Sequence, residues 1–149
     1  MRGICSHQTQ IPARSFCLSS NHFNFGSDYT LSNPASKSER VWSAFSFAAT
    51  FDVFHFYFGS SLLGSSLLDV LPLSTLGKKI FFYFCGCDIR DEKHTIQNYE
   101  ISACANCFPK LCSRNREKAK AVAERFGKVN FVSTPDLLEF LPRSVLLPQ

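Results

Sequence analysis

At 149 residues the chain has room for one ordinary domain, or a small domain and a tail, and it can bury a core without covalent staples. Its content of 45% hydrophobic and 19% charged residues excludes a wholly disordered chain. A net charge of +4 is too small for the dense basic face that nucleic-acid binding requires, so no nucleic-acid partner is expected.

The composition is uneven along the chain. Residues 1–76 carry four basic residues (Arg2, Arg14, Lys37, Arg40) and four acidic ones (Asp28, Glu39, Asp52, Asp69), whereas residues 77–149 supply the whole positive excess. Phenylalanine is the outlier, with 16 residues of which twelve lie at or before Phe84. T-rich non-coding DNA gives the same bias when translated, so residues 1–76 also read as a leader unrelated to residues 77–149. Three segments result: a polar leader over 1–40, a hydrophobic, aromatic-rich segment over 41–76, and an α/β region over 77–149.

Residues 1–40 are rich in Ser, Asn and Gln, with Pro12 and Pro34 and no sustained periodicity, which reads as loop or disorder. No apolar stretch of the secretory kind follows Arg2. A Ser-rich, acid-poor start has the flavour of a transit peptide but lacks the Arg-rich amphipathic helix. A cytoplasmic chain is therefore expected, with organelle targeting as the alternative.

Residues 41–76 contain no Lys or Arg. The run Val41–Phe47 alternates, and Phe51 to Phe58 is again dominated by aromatics, with His55 among them. A membrane span needs about 20 mostly apolar residues. Asp52 and His55 break the first candidate stretch, and Gly59, Gly64, Asp69 and Pro72 break the second. The segment reads as a hydrophobic stretch that sticks to something, whether core, membrane or aggregate.

From residue 77 onward the pattern is that of a globular α/β protein. Gly77 leads into an apolar run, Lys79–Cys85, of strand length. Residues 88–98 suit a short helix, and Glu100–Cys104 a second strand. Between Lys110 and Lys128 lie seven Lys or Arg and two Glu, read as a solvated helix face. In the helix expected over Arg116–Phe126, Ala119, Val122, Ala123 and Phe126 form one apolar stripe. Asn115 is placed to cap it, Glu117 sits in its first turn, and Gly127 stops it. Val129–Val132 is a further strand, and Thr134-Pro135 opens a short helix with Leu137, Leu138 and Leu141 on its apolar side. Val145–Leu147 starts a last strand. The alternation predicts the α/β class with a parallel, partial Rossmann-like sheet in the C-terminal half. An unclosed sheet edge in such a unit would favour self-association.

Seven cysteines raise the question of metal. Cys85, Cys87, Cys104, Cys107 and Cys112 fall within twenty-eight residues, near His94. Only Cys104 and Cys107 have the two-residue spacing usual in zinc sites. A small zinc-binding module is thus an alternative, and reduced thiols are the preferred reading. Nothing marks the chain as secreted, which argues against disulfides.

The stretch Cys112-Ser113-Arg114-Asn115-Arg116-Glu117-Lys118-Ala119 through Phe126-Gly127 resembles a helix in the glucose–fructose oxidoreductase and inositol dehydrogenase family. There a helix of the type "ASR-x-x-EKA-x-x-x-A-x-x-FG" follows the second strand, and a strand and a Leu-Leu-containing short helix come next, as in Phe131–Glu139. Gly86-Cys87-Asp88-Ile89 is similar to the "GCGDI" entry of the family's glycine loop, and Ile101-Ser102-Ala103 resembles its second strand. The resemblance covers residues 80–141. It implies a dinucleotide, NADP or NAD, with Gly86 and Ile89 at the pyrophosphate turn and Ser113 and Arg114 at the adenosine ribose. Arg114 there would accept the 2′-phosphate of NADP. Of the glycine loop only Gly86 is retained, and neither the family's catalytic Lys in its "EKP" motif nor its substrate domain is present. The resemblance therefore implies a truncated or degenerate nucleotide-binding fragment, with no catalytic residue and no metal ligand assigned. The alternative to it is a small membrane-associated or partner-binding protein that uses residues 41–76.

Overall fold

The computed structural model describes residues 14, 16–17, 29–30, 36–102, 104–105 and 115–148. Most of the polar segment 1–35 lies outside them, as do Cys107, Cys112, Ser113 and Arg114. Within that segment β1 (Phe16–Cys17) pairs in parallel with β2 (Tyr29–Thr30).

The first helix, α1 (Lys37–Thr50), contains the alternating run Val41–Phe47. Its start is set by a capping box. Ser36 Oγ accepts from the Glu39 amide at 3.2 Å, and Glu39 Oε2 accepts from the Ser36 amide at 3.0 Å. Ala44 and Ala48, one turn apart, are buried, with Phe47 and Phe51 packed beside them on the core. The spacing of small residues at i and i+4 thus overrides the alternation of the large ones.

The main sheet comes next: β3 (Val53–Tyr57), β4 (Lys79–Phe84), β5 (Val129–Val132) and β6 (Val145–Leu146), adjacent in that order and all parallel. Crossovers are made by α2 (Val70–Thr75) between β3 and β4, by α3 (Glu92–Asn98) and α4 (Arg116–Phe126) between β4 and β5, and by a 3₁₀ turn (Pro135–Glu139) between β5 and β6. The α/β class with a parallel sheet is as the pattern predicts. The sheet, however, begins inside the aromatic-rich segment, because Val53–Tyr57 is its first strand. Gly77, where the composition changes, is the turn between α2 and β4 inside one strand–helix–strand unit. The second strand expected at Glu100–Cys104 is not formed: residues 100, 101 and 102 are bends or irregular and residue 104 is in a turn. The physical reason is that β4 already has β3 on one side and β5 on the other, which leaves no place for a strand between β4 and β5.

The pleat divides the sheet into two aromatic faces. Phe54, Phe56, Ile80, Phe82, Phe84 and Val132 are buried against Ala44 and Ala48 of α1, Val70 and Leu73 of α2, Ala119 and Ala123 of α4, and Leu137. The other face carries His55, Tyr57, Phe81, Tyr83 and Phe131. His55 lies 4.9 Å from the Tyr57 ring and 5.7 Å from that of Phe131, and burial lowers its pKa. Tyr83 is anchored by a 2.7 Å bond from its hydroxyl to the Leu147 carbonyl. At the end of α4, Asn130 Nδ2 donates at 3.1 Å to the Ala123 carbonyl, which also accepts from the Gly127 amide at 2.9 Å. Among the described residues no helix is long and apolar enough to cross a membrane.

These two faces should respond differently to truncation. Phe82→Ala removes a fully buried ring and is expected to cost about 3–5 kcal/mol. Phe81→Ala, on the half-buried face, should cost less than half of that. Urea unfolding of both variants checks the assignment of faces, and equal losses would contradict it.

Candidate functional site

All four strands of the main sheet point their carboxyl ends the same way, so the loops after them share one rim, the edge at which open α/β sheets bind ligands. The three loops at this rim are Phe58–Asp69, Cys85–Asp91 and Ser133–Thr134. Ser133 Oγ ties the third to the second by donating to the Cys85 carbonyl at 3.2 Å.

The first loop reads Gly59-Ser60-Ser61-Leu62-Leu63-Gly64, the outer glycines of a G-x-G-x-x-G turn with Ser61 at the middle position. Gly59 takes φ +57°, and a side chain there would stand 3.3 Å from Ala119 Cβ and 3.4 Å from Asp88 Cβ. The position therefore combines a left-handed turn with close packing of the loop on α4 and on the neighbouring loop. Ser61 and Gly64 exchange backbone hydrogen bonds at 3.1 and 2.9 Å. Asp69, buried at the end of the loop, accepts from the Leu62 amide at 2.9 Å and from the Ser61 hydroxyl. The next helix starts only at Val70 and has six residues, so the loop does not open directly into a long helix as in the dinucleotide fingerprint.

The second loop is closed in the same manner. The carboxylate of Asp88, itself fully buried, accepts from the Gly86 amide at 2.7 Å and from the Cys85 amide at 3.1 Å. Burial pushes the Asp88 carboxyl up, and the backbone amides only partly offset this. Partial loss of solvent around the thiol, followed by the nearby Asp88 charge, pushes Cys85 up to about 11, so it is a poor nucleophile near neutrality. Gly86 has φ +142°, and its Cα faces Arg90: an added Cβ would stand 2.9 Å from Arg90 Nη1. Arg90 is held there by Asp136, whose Oδ2 receives Nε and Nη2 at 2.8 Å each.

Around this pair runs a wider polar network. Arg116 Nη2 meets Asp91 at 2.7 Å. Asp91 also caps α3 through the His94 amide, and that bond, followed by the Arg116 charge, holds its carboxyl below the usual range. Glu139 accepts from the Tyr99 hydroxyl and lies 3.3 Å from His94 Nε2, and both contacts lower its pKa.

The residues expected at a dinucleotide are distributed unevenly. The Gly86 amide is committed to Asp88 and its open face is filled by Arg90. Ile89 is buried in the core. Ser113 and Arg114 lie outside the described residues. Sequence reasoning passed over Gly59, Ser61, Gly64, Asp69 and Asp88; the six-residue glycine spacing directly after an aromatic run was the signal available. Among the described residues no three His, Cys, Asp or Glu side chains are grouped to hold a metal ion. Cys85, Cys87 and Cys104 are reduced thiols. A cavity of about 10 Å³ lies between α1, α2 and the first loop, lined by Ala48, Leu62 and Leu73 among others. It is at the lower limit for a single water.

No protein-family description, no curated protein and no solved structure matches this chain.

Asp88 makes a directional prediction. Its folded pKa is raised, so its contribution to stability is present below the unfolded carboxyl range and is lost as pH rises through the folded value. Asp88→Asn keeps an acceptor for the Gly86 amide and cannot ionise. The stability of the variant relative to the parent should therefore increase from pH 3 to pH 7 in urea titrations, and a flat difference would contradict the assignment. Alkylation of Cys85, followed by peptide mapping, should be faster in the same variant.

Proposed function

We propose that this chain is the nucleotide-binding part of an oxidoreductase fold of the glucose–fructose oxidoreductase and inositol dehydrogenase type, able to bind NADP or NAD weakly and not catalytic alone. The observation that carries the reading is the order of elements from Val53 to Leu146. Apart from the short Glu92–Asn98 helix, it runs strand, glycine turn, helix, strand, then the Arg116–Phe126 helix, strand, 3₁₀ turn and strand, all strands being parallel. That is the order the resembling family uses for its nucleotide half, provided the first strand is taken as Val53–Tyr57 and not as Lys79–Phe84. The glycine turn then becomes Gly59–Gly64 in place of Gly86–Ile89, and the Arg116–Phe126 helix, the Val129–Val132 strand and the Pro135 turn follow in the family's order after an inserted segment that carries the Glu92–Asn98 helix.

Two features limit affinity in this reading. The strand order follows the sequence without doubling back, so the four strands lack the switch point at which such sheets form their deepest crevice. The turn amides are also already bonded to Asp69 and Asp88. A further part of the proposal is self-association: β3 lies at one side of the sheet, and among the described residues it pairs only with β4.

Titration of NADPH fluorescence against the purified full chain tests the reading. A weak but saturable change, diminished by Gly59→Val, is expected. No saturable change removes the dinucleotide reading.

A second reading rests on α1, whose outer side exposes Trp42 (75%) and Phe45, next to exposed Leu76 beyond α2. Such a stripe suits a membrane surface or a partner protein. Co-sedimentation of the chain with phospholipid vesicles, abolished by Trp42→Ser together with Phe45→Ser, is the expected result. A chain that stays in the supernatant overturns it.

A further inference from the structure

Two neighbouring turns at the rim are each closed by a carboxylate of the chain itself. In the second loop the carboxylate belongs to the turn, since Asp88 reaches back only two and three residues. In the first loop it comes from farther away. Asp69 precedes α2 and reaches back seven residues to the Leu62 amide and eight to the Ser61 hydroxyl, so both of its oxygens are engaged by loop donors. It is 5% exposed, and among the described residues no Lys, Arg or His forms an ion pair with it.

A buried carboxylate held by a backbone amide and a hydroxyl, without a cation, uses the donor set that a phosphate oxygen needs. The donors stand in a turn closed by left-handed glycines at the carboxyl end of a parallel strand. The geometry points to Asp69 as a built-in pseudo-ligand: its carboxylate fills the anion position of the Gly59–Gly64 turn, orders the turn in the absence of ligand, and competes with any phosphate group that approaches it. The contact is autoinhibitory. It would make a phosphate-bearing ligand displace one anion before it could bind as another. The assignment of a dinucleotide as that ligand rests on the proposed function; the occupancy of the turn by Asp69 does not.

The same turn explains why the carboxylate persists. Without it the buried Leu62 amide would lose its partner, and the Ser61 hydroxyl would keep only the Gly64 carbonyl at 3.2 Å. Folding therefore favours an internal anion in a loop whose donors would otherwise wait for an external one.

The test uses the full chain, inorganic pyrophosphate as the probe, and constant ionic strength with chloride as the balancing anion. Asp69→Ala empties the position. Its pyrophosphate affinity, measured by calorimetry, is expected to exceed that of the parent by about tenfold or more, equivalent to about 1.4 kcal/mol. Acetate, a free carboxylate, should raise the melting temperature of Asp69→Ala in a saturable way and leave the parent unchanged. Glu124→Gln, which removes an exposed charge on α4, should leave the affinity at the parental level. If Asp69→Ala does not fold, Asp69→Asn replaces it. The amide oxygen still accepts from Leu62, and loss of the charge should tighten pyrophosphate binding in the same direction by a smaller factor.

Equal affinity in the parent and in whichever Asp69 variant folds would overturn the pseudo-ligand. So would tightening of the same size in Glu124→Gln, since that reports net charge and not the site. Pyrophosphate tightening without any NADPH binding by parent or variant would keep the pseudo-ligand and remove the dinucleotide reading. NADPH binding to the parent that Asp69→Asn does not improve would do the reverse.

Discussion

The pairing of Val53–Tyr57 with Lys79–Phe84 is the contact on which the rest of the molecule is built. Parallel strands cannot be joined by a tight turn, so their pairing obliges residues 58–78 to cross over the sheet and return. In doing so they place Leu62, Leu67, Val70 and Leu73 on the apolar side of the strands. That side is supplied by Phe54 and Phe56 from one strand and by Ile80, Phe82 and Phe84 from the other, a layer of rings that needs cover from helices. The alanines of α1 and α4 give that cover because small side chains let a helix approach the rings closely. Six of the sixteen phenylalanines are thereby used in the main sheet.

The same register brings the loops after β3 and β4 side by side, and the chemistry of the rim depends on it. Gly59 can sit against Asp88 and Ala119 only because β3 and β4 end level with one another. Once there, each loop has donors turned inward in a region with little water, where an unmet amide is costly. Asp69 and Asp88 meet that demand from within the chain. Arg90, fixed by Asp136, closes the remaining face of the Gly86 turn. Outside this layer the contacts of Arg116 with Asp91 and of His94 with Glu139 are half-exposed or exposed, and pairs of that kind orient segments more than they stabilise them. The rim is therefore stiffest beneath Gly59 and Gly86 and is held more loosely around α3.

Legibility in the sequence tracked the strength of local signals. The Arg116–Phe126 helix was readable to the residue, because its alanine stripe, its acidic first turn and its glycine stop agree. Lys79–Phe84, Val129–Val132 and the Pro135 turn were readable for similar reasons of length and flanking residues. Asn115 was correctly placed at the helix start, but its side chain makes no cap bond; its amide donates instead to the Ser65 carbonyl at 3.4 Å. Val53–Tyr57 was passed over because a run of aromatics in a segment without Lys or Arg has no preferred partner until the rest of the sheet is known. Glu100–Cys104 failed for the opposite reason: its local pattern suits a strand, and the sheet has no free position for it between β4 and β5.

By itself the sequence determined the α/β class, the bounds of the Arg116–Phe126 helix and of the Val129–Val132 strand, and the separation of an aromatic stretch without Lys or Arg from a charged C-terminal part. These depend on periodicity and on capping, which are local. Only the tertiary structure decided that the aromatic stretch supplies the first strand of the main sheet, that the Gly59–Gly64 turn follows it, and that Asp69 holds donors of that turn. Each of these depends on which strand lies beside which. Pairing between strands separated by twenty or more residues is set by the burial of a shared face, a quantity that no single segment of the chain contains.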